Sequence, residues 1–143
     1  MEIFIPYNVP SLKNSKVKTV RGVFFSKTVR KYLQKLGVKN YHMQTKQIEN
    51  YKKRINQFQA IVAGQFKGVG YPLELGFHFV RDTNRKFDYI NAMQIIQDLL
   101  VAHGCIIDDD CDHLVPYVYK RNGKYYTVNK EDPGVHLRWK SLK

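Results

Sequence analysis

The chain has 143 residues, 43% of them hydrophobic and 13% aromatic, which is enough to bury one core and fits a single domain over 1–143. No window approaches the roughly 18 apolar residues of a membrane span, and the start "MEIFIPYNVPSL" lacks the basic, then long apolar pattern of a signal peptide, so no membrane association and a cytoplasmic location are expected. Two cysteines are too few for a disulfide framework, and a formal charge of +12 turns attention to polyanions.

In chain order, Ile3 and Ile5 alternate with other residues before Pro6 and Pro10, which predicts a strand running into an irregular loop rich in Lys and Ser. "SKTVRKYLQKLGV" predicts a helix capped by Ser26, with Val29, Tyr32, Leu33 and Leu36 on one face and Gly37 at its end. A longer helix is predicted near 43–63, where Ile48, Tyr51, Ile55, Phe58 and Val62 recur at helical spacing. In "LELGFHFV" Leu73, Leu75, Phe77 and Phe79 alternate with Glu74, Gly76 and His78, the pattern of a strand with one apolar face and His78 on the polar one. "FDYINAMQIIQDLLVAH" predicts a helix with Asp88 as N-cap and Gly104 as its stop. Cys105-Ile106-Ile107 reads as a buried strand. Asn122-Gly123 between two aromatic and β-branched runs signals a hairpin, and "GVHLRWK" supplies a last strand with Val135, Leu137 and Trp139 on one face. The sum is an α+β fold, a mixed sheet packed on about three helices.

Charge divides unevenly along this layout. Residues 1–70 hold fourteen Lys/Arg against two Asp/Glu, whereas 71–143 hold ten of each. A concentrated positive half is the footprint of a polyanion binder, because each cation that meets a phosphate releases counterions. Lys13, Lys16, Lys18 and Arg21 in the early loop, Arg85 and Lys86 before the third helix, and Lys120, Arg121 and Lys124 at the hairpin are the candidate phosphate contacts. Tyr117, Tyr119, Tyr125 and Tyr126 offer stacking surfaces for unpaired bases, against the simpler reading of cross-strand packing.

Inside this basic chain, Phe87 to His113 carries six aspartates and no Lys or Arg. Asp88 opens a helix, while Asp108, Asp109, Asp110 and Asp112 lie beyond its far end, roughly 20 Å away along a helix of about 15 residues. Asp88 meets the cluster only if the chain doubles back past Gly104. Convergent carboxylates in a basic protein suit a hard cation such as Mg2+, with a solvated acidic turn as the competing reading.

At "DYINAMQIIQD" and "GCIIDD" the chain resembles the RusA-type Holliday junction resolvases, phage and prophage endodeoxyribonucleases. Their pattern D-x-D-N-x-x-K-x-x-x-D is matched at Asp88, Asn91 and Asp98, and their paired acids after a glycine at Asp108 and Asp109. "IPYNVPSLKNS" and "FFSKTVRKYL" are similar to the family's N-terminal loop and first helix. The resemblance implies a RusA-like nuclease domain, catalytic Asp88, Asn91, Asp108 and Asp109, and Mg2+ or Mn2+ held by Asp88, Asp109 and Asp110. It also implies a homodimer that cuts both strands of a four-way junction. Two positions depart from it: Ile90 stands where the second aspartate belongs and Gln94 where the lysine does. Either Asp110 or Asp112 supplies the missing oxygen and Arg85 or Lys86 the missing charge, or the scaffold binds junctions without cutting them. Zinc on His103, Cys105, Cys111 and His113 is disfavoured, because the pairs lack the usual knuckle spacing.

Overall fold

The fold is built around the strand whose alternation is plainest in the sequence. The computed structural model describes residues 1–11, 16–19, 22–25, 27–37 and 57–142. Seven strands occur among them: β1 (Glu2–Pro6), β2 (Lys16–Thr19), β3 (Gly22–Phe25), β4 (Leu73–Arg81), β5 (Leu114–Val118), β6 (Tyr126–Val128) and β7 (Gly134–Ser141). Three helices accompany them: α1 (Lys27–Lys35), α2 (Gln57–Val62) and α3 (Tyr89–Ala102). β4 sits in the middle of a mixed five-stranded sheet. It pairs antiparallel with β7 from Leu73↔Ser141 to Val80↔Gly134, and β7 pairs antiparallel with β1. On its other edge it pairs parallel with β5 and then with β6. The result is an α+β fold.

Alternation decides what each face of β4 does. Leu73, Leu75, Phe77 and Phe79 are fully buried, and they share one core with Ile5, Val135, Leu137, with Val29, Leu33 and Leu36 of the α1 region, with Phe58, and with Ala92, Ile96, Leu99 and Leu100 of α3. A fully buried Leu or Phe contributes about 2 kcal/mol from removal of its apolar surface, so this layer is the main source of stability. The opposite face is sealed by side chains. Arg138 lays its guanidinium 3.9 Å from the Tyr119 ring centroid, its Nε donates to the Tyr117 hydroxyl at 2.9 Å, and both tyrosines press on Gly76, where a Cβ would stand 2.7 Å from the Tyr117 ring. His78 is therefore not a surface histidine, as its place on the polar face suggests, but fully buried beneath this lid. Its ring nitrogens lie 2.9 Å from the Tyr119 carbonyl oxygen and 3.2 Å from Thr127 Oγ1.

Several expectations require revision. The early loop contains a two-stranded hairpin, β2 with β3, in place of wholly irregular chain. The helix expected near 43–63 is observed as α2 at its end, and residues 43–56 lie outside the described residues, as does the Ser26 cap. Cys105–Ile107 is not a strand; it is part of an irregular return in which Ile106 is buried and Ile107 exposed. The Asn122-Gly123 turn is present, with φ of 52° and 76°, yet it closes only the bridge Arg121↔Lys124. The runs on either side do not pair with each other. Both continue in one direction along β4, Val118 opposite Phe77 and Tyr126 opposite Phe79, so the turn is an excursion from a single interrupted edge strand.

Candidate active site

The crossover from β4 to its parallel neighbour β5 requires a connection that crosses the sheet, and α3 provides it. The loop 82–88 enters the helix at Asp88, the N-cap, whose Oδ1 accepts from the backbone amides of Ile90 at 2.9 Å and Asn91 at 3.1 Å. Asp88 is exposed, and its other oxygen accepts no hydrogen bond from the described residues. Asn91 Nδ2 reaches the Ser11 carbonyl oxygen at 3.5 Å, linking the helix start to the N-terminal loop. Beneath the loop, buried Arg81 donates to the Val9 carbonyl oxygen and stacks over Phe87, 4.4 Å from its centroid, which fixes where the loop leaves the sheet.

The helix ends at Gly104, whose φ of 71° lets the chain reverse. The return segment then climbs back along α3. Gln94 Nε2 donates to Asp98 Oδ1 at 2.8 Å and to Asp109 Oδ2 at 2.9 Å, so both carboxylates meet at one amide nitrogen and lie within about 6 Å of each other. Asp109 is thereby level with the turn from Gln94 to Asp98, six to ten residues from Asp88 and roughly 9 to 15 Å from it along the axis. The expected doubling back takes place, through an irregular segment and not a strand.

The neighbouring acids are used differently. Asp108 Oδ1 accepts from the Asp109 amide at 2.8 Å, a turn that orients Asp109. Asp110 Oδ1 accepts from the Asp112 amide at 3.0 Å and lies 2.6 Å from His113 Nδ1, and the hydrogen bond from His113 is the main reason its carboxyl titrates below the usual range. Asp110 is thus committed to a local turn, which weakens its claim as a metal ligand, and Asp112 is exposed. Ile90 is 72% exposed and offers no oxygen where the resemblance leads one to look for it. Oxygen donors suit a hard divalent cation in type, and Asp98 with Asp109 is their tightest assembly; among the described residues no three Asp, Glu, His or Cys side chains surround one point.

Compared with known proteins, the chain matches no protein-family model and no curated relative. Its chemistry is accordingly argued from its own residues.

Of the remaining predicted groups, Arg85 and Lys86 are exposed on the loop just before Asp88, and Lys120 and Lys124 are exposed on the excursion between β5 and β6. Arg121 is instead paired with Glu2. Lys16 and Lys18 belong to β2, while Lys13 and Arg21 lie outside the described residues. The four zinc candidates have separate surroundings: His103 Nδ1 lies 2.8 Å from the Leu99 carbonyl oxygen, its ring against Phe58; Cys105 is half-buried, which pushes its thiol up to about 11; Cys111 is exposed; His113 is on Asp110. Sequence reasoning missed two features. Gln94 as the clasp of two acids was foreshadowed by its i,i+4 spacing to Asp98. A cleft formed by Tyr89, Tyr125 and Tyr126 beside the helix start had no local signal, because it depends on β6 pairing with β4.

Proposed function

We propose that this protein is a structure-selective endodeoxyribonuclease of RusA-like type, which binds a four-way DNA junction as a homodimer and hydrolyses a phosphodiester with Mg2+, or Mn2+ in its place. The observation that carries this reading is the return of Asp109 to the side of α3, where it shares Gln94 with Asp98 on the helix that Asp88 caps. Asp98 and Asp109, brought together by Gln94, are the residues that would hold the cation, Asp88 and Asp108 would have to move toward them to add further oxygens, and Asn91 anchors the helix start. Bound there, a divalent ion supplies Lewis acidity toward the phosphodiester and its attacking water. Among the described residues the second oxygens of Asp88 and Asp108 accept no hydrogen bond, and Asp109 is oriented by the Asp108 turn and by Gln94. Arg85 and Lys86 sit where they attract the phosphates flanking the scissile bond. A two-fold symmetric cut requires two such sites, which is the reason for the dimer.

A second reading has its own support. Exposed Ile90 and the amide of Gln94 between two carboxylates suit a protein that binds junctions and no longer cuts them. One experiment separates the two. Incubated with a synthetic four-way junction, the enzyme nicks it symmetrically with Mg2+ or Mn2+ and stops with EDTA; a junction shifted in a gel but left uncut with every divalent ion overturns the nuclease reading in favour of binding.

A further inference from the structure

Tyr89, the first residue of α3, and Tyr125 and Tyr126, at the end of the excursion between β5 and β6, line an open cleft of about 900 Å3 together with Asn84, Asn122 and Lys124. Two of the tyrosines have their rings committed. Tyr126 meets Phe87 edge to face at 5.2 Å between centroids, and Tyr89 meets Phe87 at 4.8 Å in the same manner. Tyr125 differs. It is 54% exposed, and its one ring contact among the described residues is the ammonium of Lys120, 5.0 Å from the centroid. A broad aromatic surface left in water beside two lysines has a cost that cross-strand packing does not explain, because β5 and β6 do not pair with each other.

We infer that this cleft receives one unstacked nucleobase of a DNA strand, laid on the face of the Tyr125 ring that Lys120 leaves open, with the adjoining phosphate at Lys124. The cleft is large enough for a nucleoside, and its lining combines phenol rings with the carboxamides of Asn84 and Asn122, which both donate and accept and so match any base edge. Among the described residues no carboxylate lines it, so a polyanion meets no repulsion inside. Tyr89 borders the cleft and directly follows Asp88, so a base held there brings its backbone toward the helix start that Asp88 caps. The inference deepens the proposed function by naming how an opened strand is distinguished from a closed duplex, and it rests on the DNA-binding part of that reading alone.

The test is run in EDTA, so that cleavage plays no part. Binding of the protein to a thymidine octamer is compared with binding to an octamer of abasic spacers bearing the same phosphates. The wild type is expected to favour the octamer with bases by at least about tenfold. Tyr125→Ala should bind both alike, Tyr125→Phe should keep the preference, and Lys124→Ala should weaken both equally. Tyr125 is exposed, so unchanged far-ultraviolet circular dichroism is expected of its variants. A wild type indifferent to the bases, or a Tyr125→Ala variant that still discriminates, overturns the inference; so does a glutamate octapeptide that displaces the thymidine octamer at equal concentration, since the cleft then prefers acidic peptide. A protein that passes this test yet never nicks a junction loses the nuclease reading and keeps the base-binding one.

Discussion

A carboxamide donates hydrogen bonds but carries no charge, so Gln94 holds Asp98 and Asp109 together without cancelling their repulsion. Where the resemblance leads one to expect a lysine, the site has position without compensation. Exposed Ile90 accepts an aspartate at little cost in stability, because its side chain packs against almost nothing. The double variant Ile90→Asp with Gln94→Lys should therefore raise the rate of junction nicking at least about tenfold over wild type, or about 1.4 kcal/mol of transition-state stabilisation. Equal rates under Mg2+ count against a role for either position. Asp109→Asn and Asp88→Asn should each abolish nicking while gel-shift affinity stays or rises, since removal of a negative charge beside phosphate costs binding nothing. Asp88 permits a control for folding. Asn preserves the N-cap, whereas Asp88→Ala should cost about 1 kcal/mol in urea unfolding on top of the lost activity. Most of these residues were readable beforehand, because an N-cap and a helix stop are local signals. Gln94 was only half readable, because its spacing to Asp98 is local while its second partner is fifteen residues away.

At the level of elements, what was legible and what was not divides along the same line between local and distant causes. β4 announced itself because a strand with one buried face must alternate, α1 because it buries one stripe ahead of a glycine, and α3 because it runs from a cap to a glycine. The turn at Asn122-Gly123 was legible for the same reason; its strands' true partner was not, since the free edge of β4 competes for them and no dipeptide records that. His78 was misjudged because sequence alternation says which face a residue takes but not what covers it. Gly134 illustrates a close approach that only the assembled sheet reveals. A Cβ there would stand 2.3 Å from the Ile5 carbonyl oxygen and 2.5 Å from the Phe4 ring, and the first of these is backbone held in the β1–β7 ladder. Gly134→Ala should destabilise the protein by about 2 kcal/mol, measured by chemical denaturation, with β1 displaced from the sheet edge. Unchanged stability would mean that β1 shifts freely.

For the whole molecule, acid and salt act through different groups. His78, His103 and His136 all have pKa values lowered chiefly by burial, so the folded state prefers them neutral while the unfolded chain binds protons near 6.5. Their contribution is fully present above that value and is lost as pH falls below it. Asp110 acts in the same sense at lower pH, its depressed carboxyl contributing only while ionised. Thermal unfolding should accordingly show Tm falling steadily from pH 7 to pH 5; a flat profile would mean that the histidines protonate without opening the fold. Salt reports on the basic half. With fourteen Lys/Arg in residues 1–70, junction affinity should fall steeply with ionic strength, and replacing Lys13, Lys16, Lys18 and Arg21 by Ala should reduce the slope of log K against log salt by up to about 0.9 for each phosphate that is no longer neutralised. An unchanged slope assigns phosphate binding to the exposed cations of α1 or to Lys120 and Lys124.

The position of β7 bears on how the molecule comes into being. It lies between β1 and β4 and is the only described strand that joins them, so the order of the sheet runs against the order of synthesis. While the chain emerges from the ribosome, β1 has no partner and one edge of β4 remains bare until residues 134–141 arrive to fill the gap. Pairing across such separations closes long loops late, which slows folding and leaves Leu75, Phe77 and Phe79 without their full cover from their emergence until β7 is made. The interval before β7 docks is therefore when a nascent chain of this protein most needs a chaperone, and the lysine-rich first half, which repels its own copies, is suited to keep neighbouring chains apart until then.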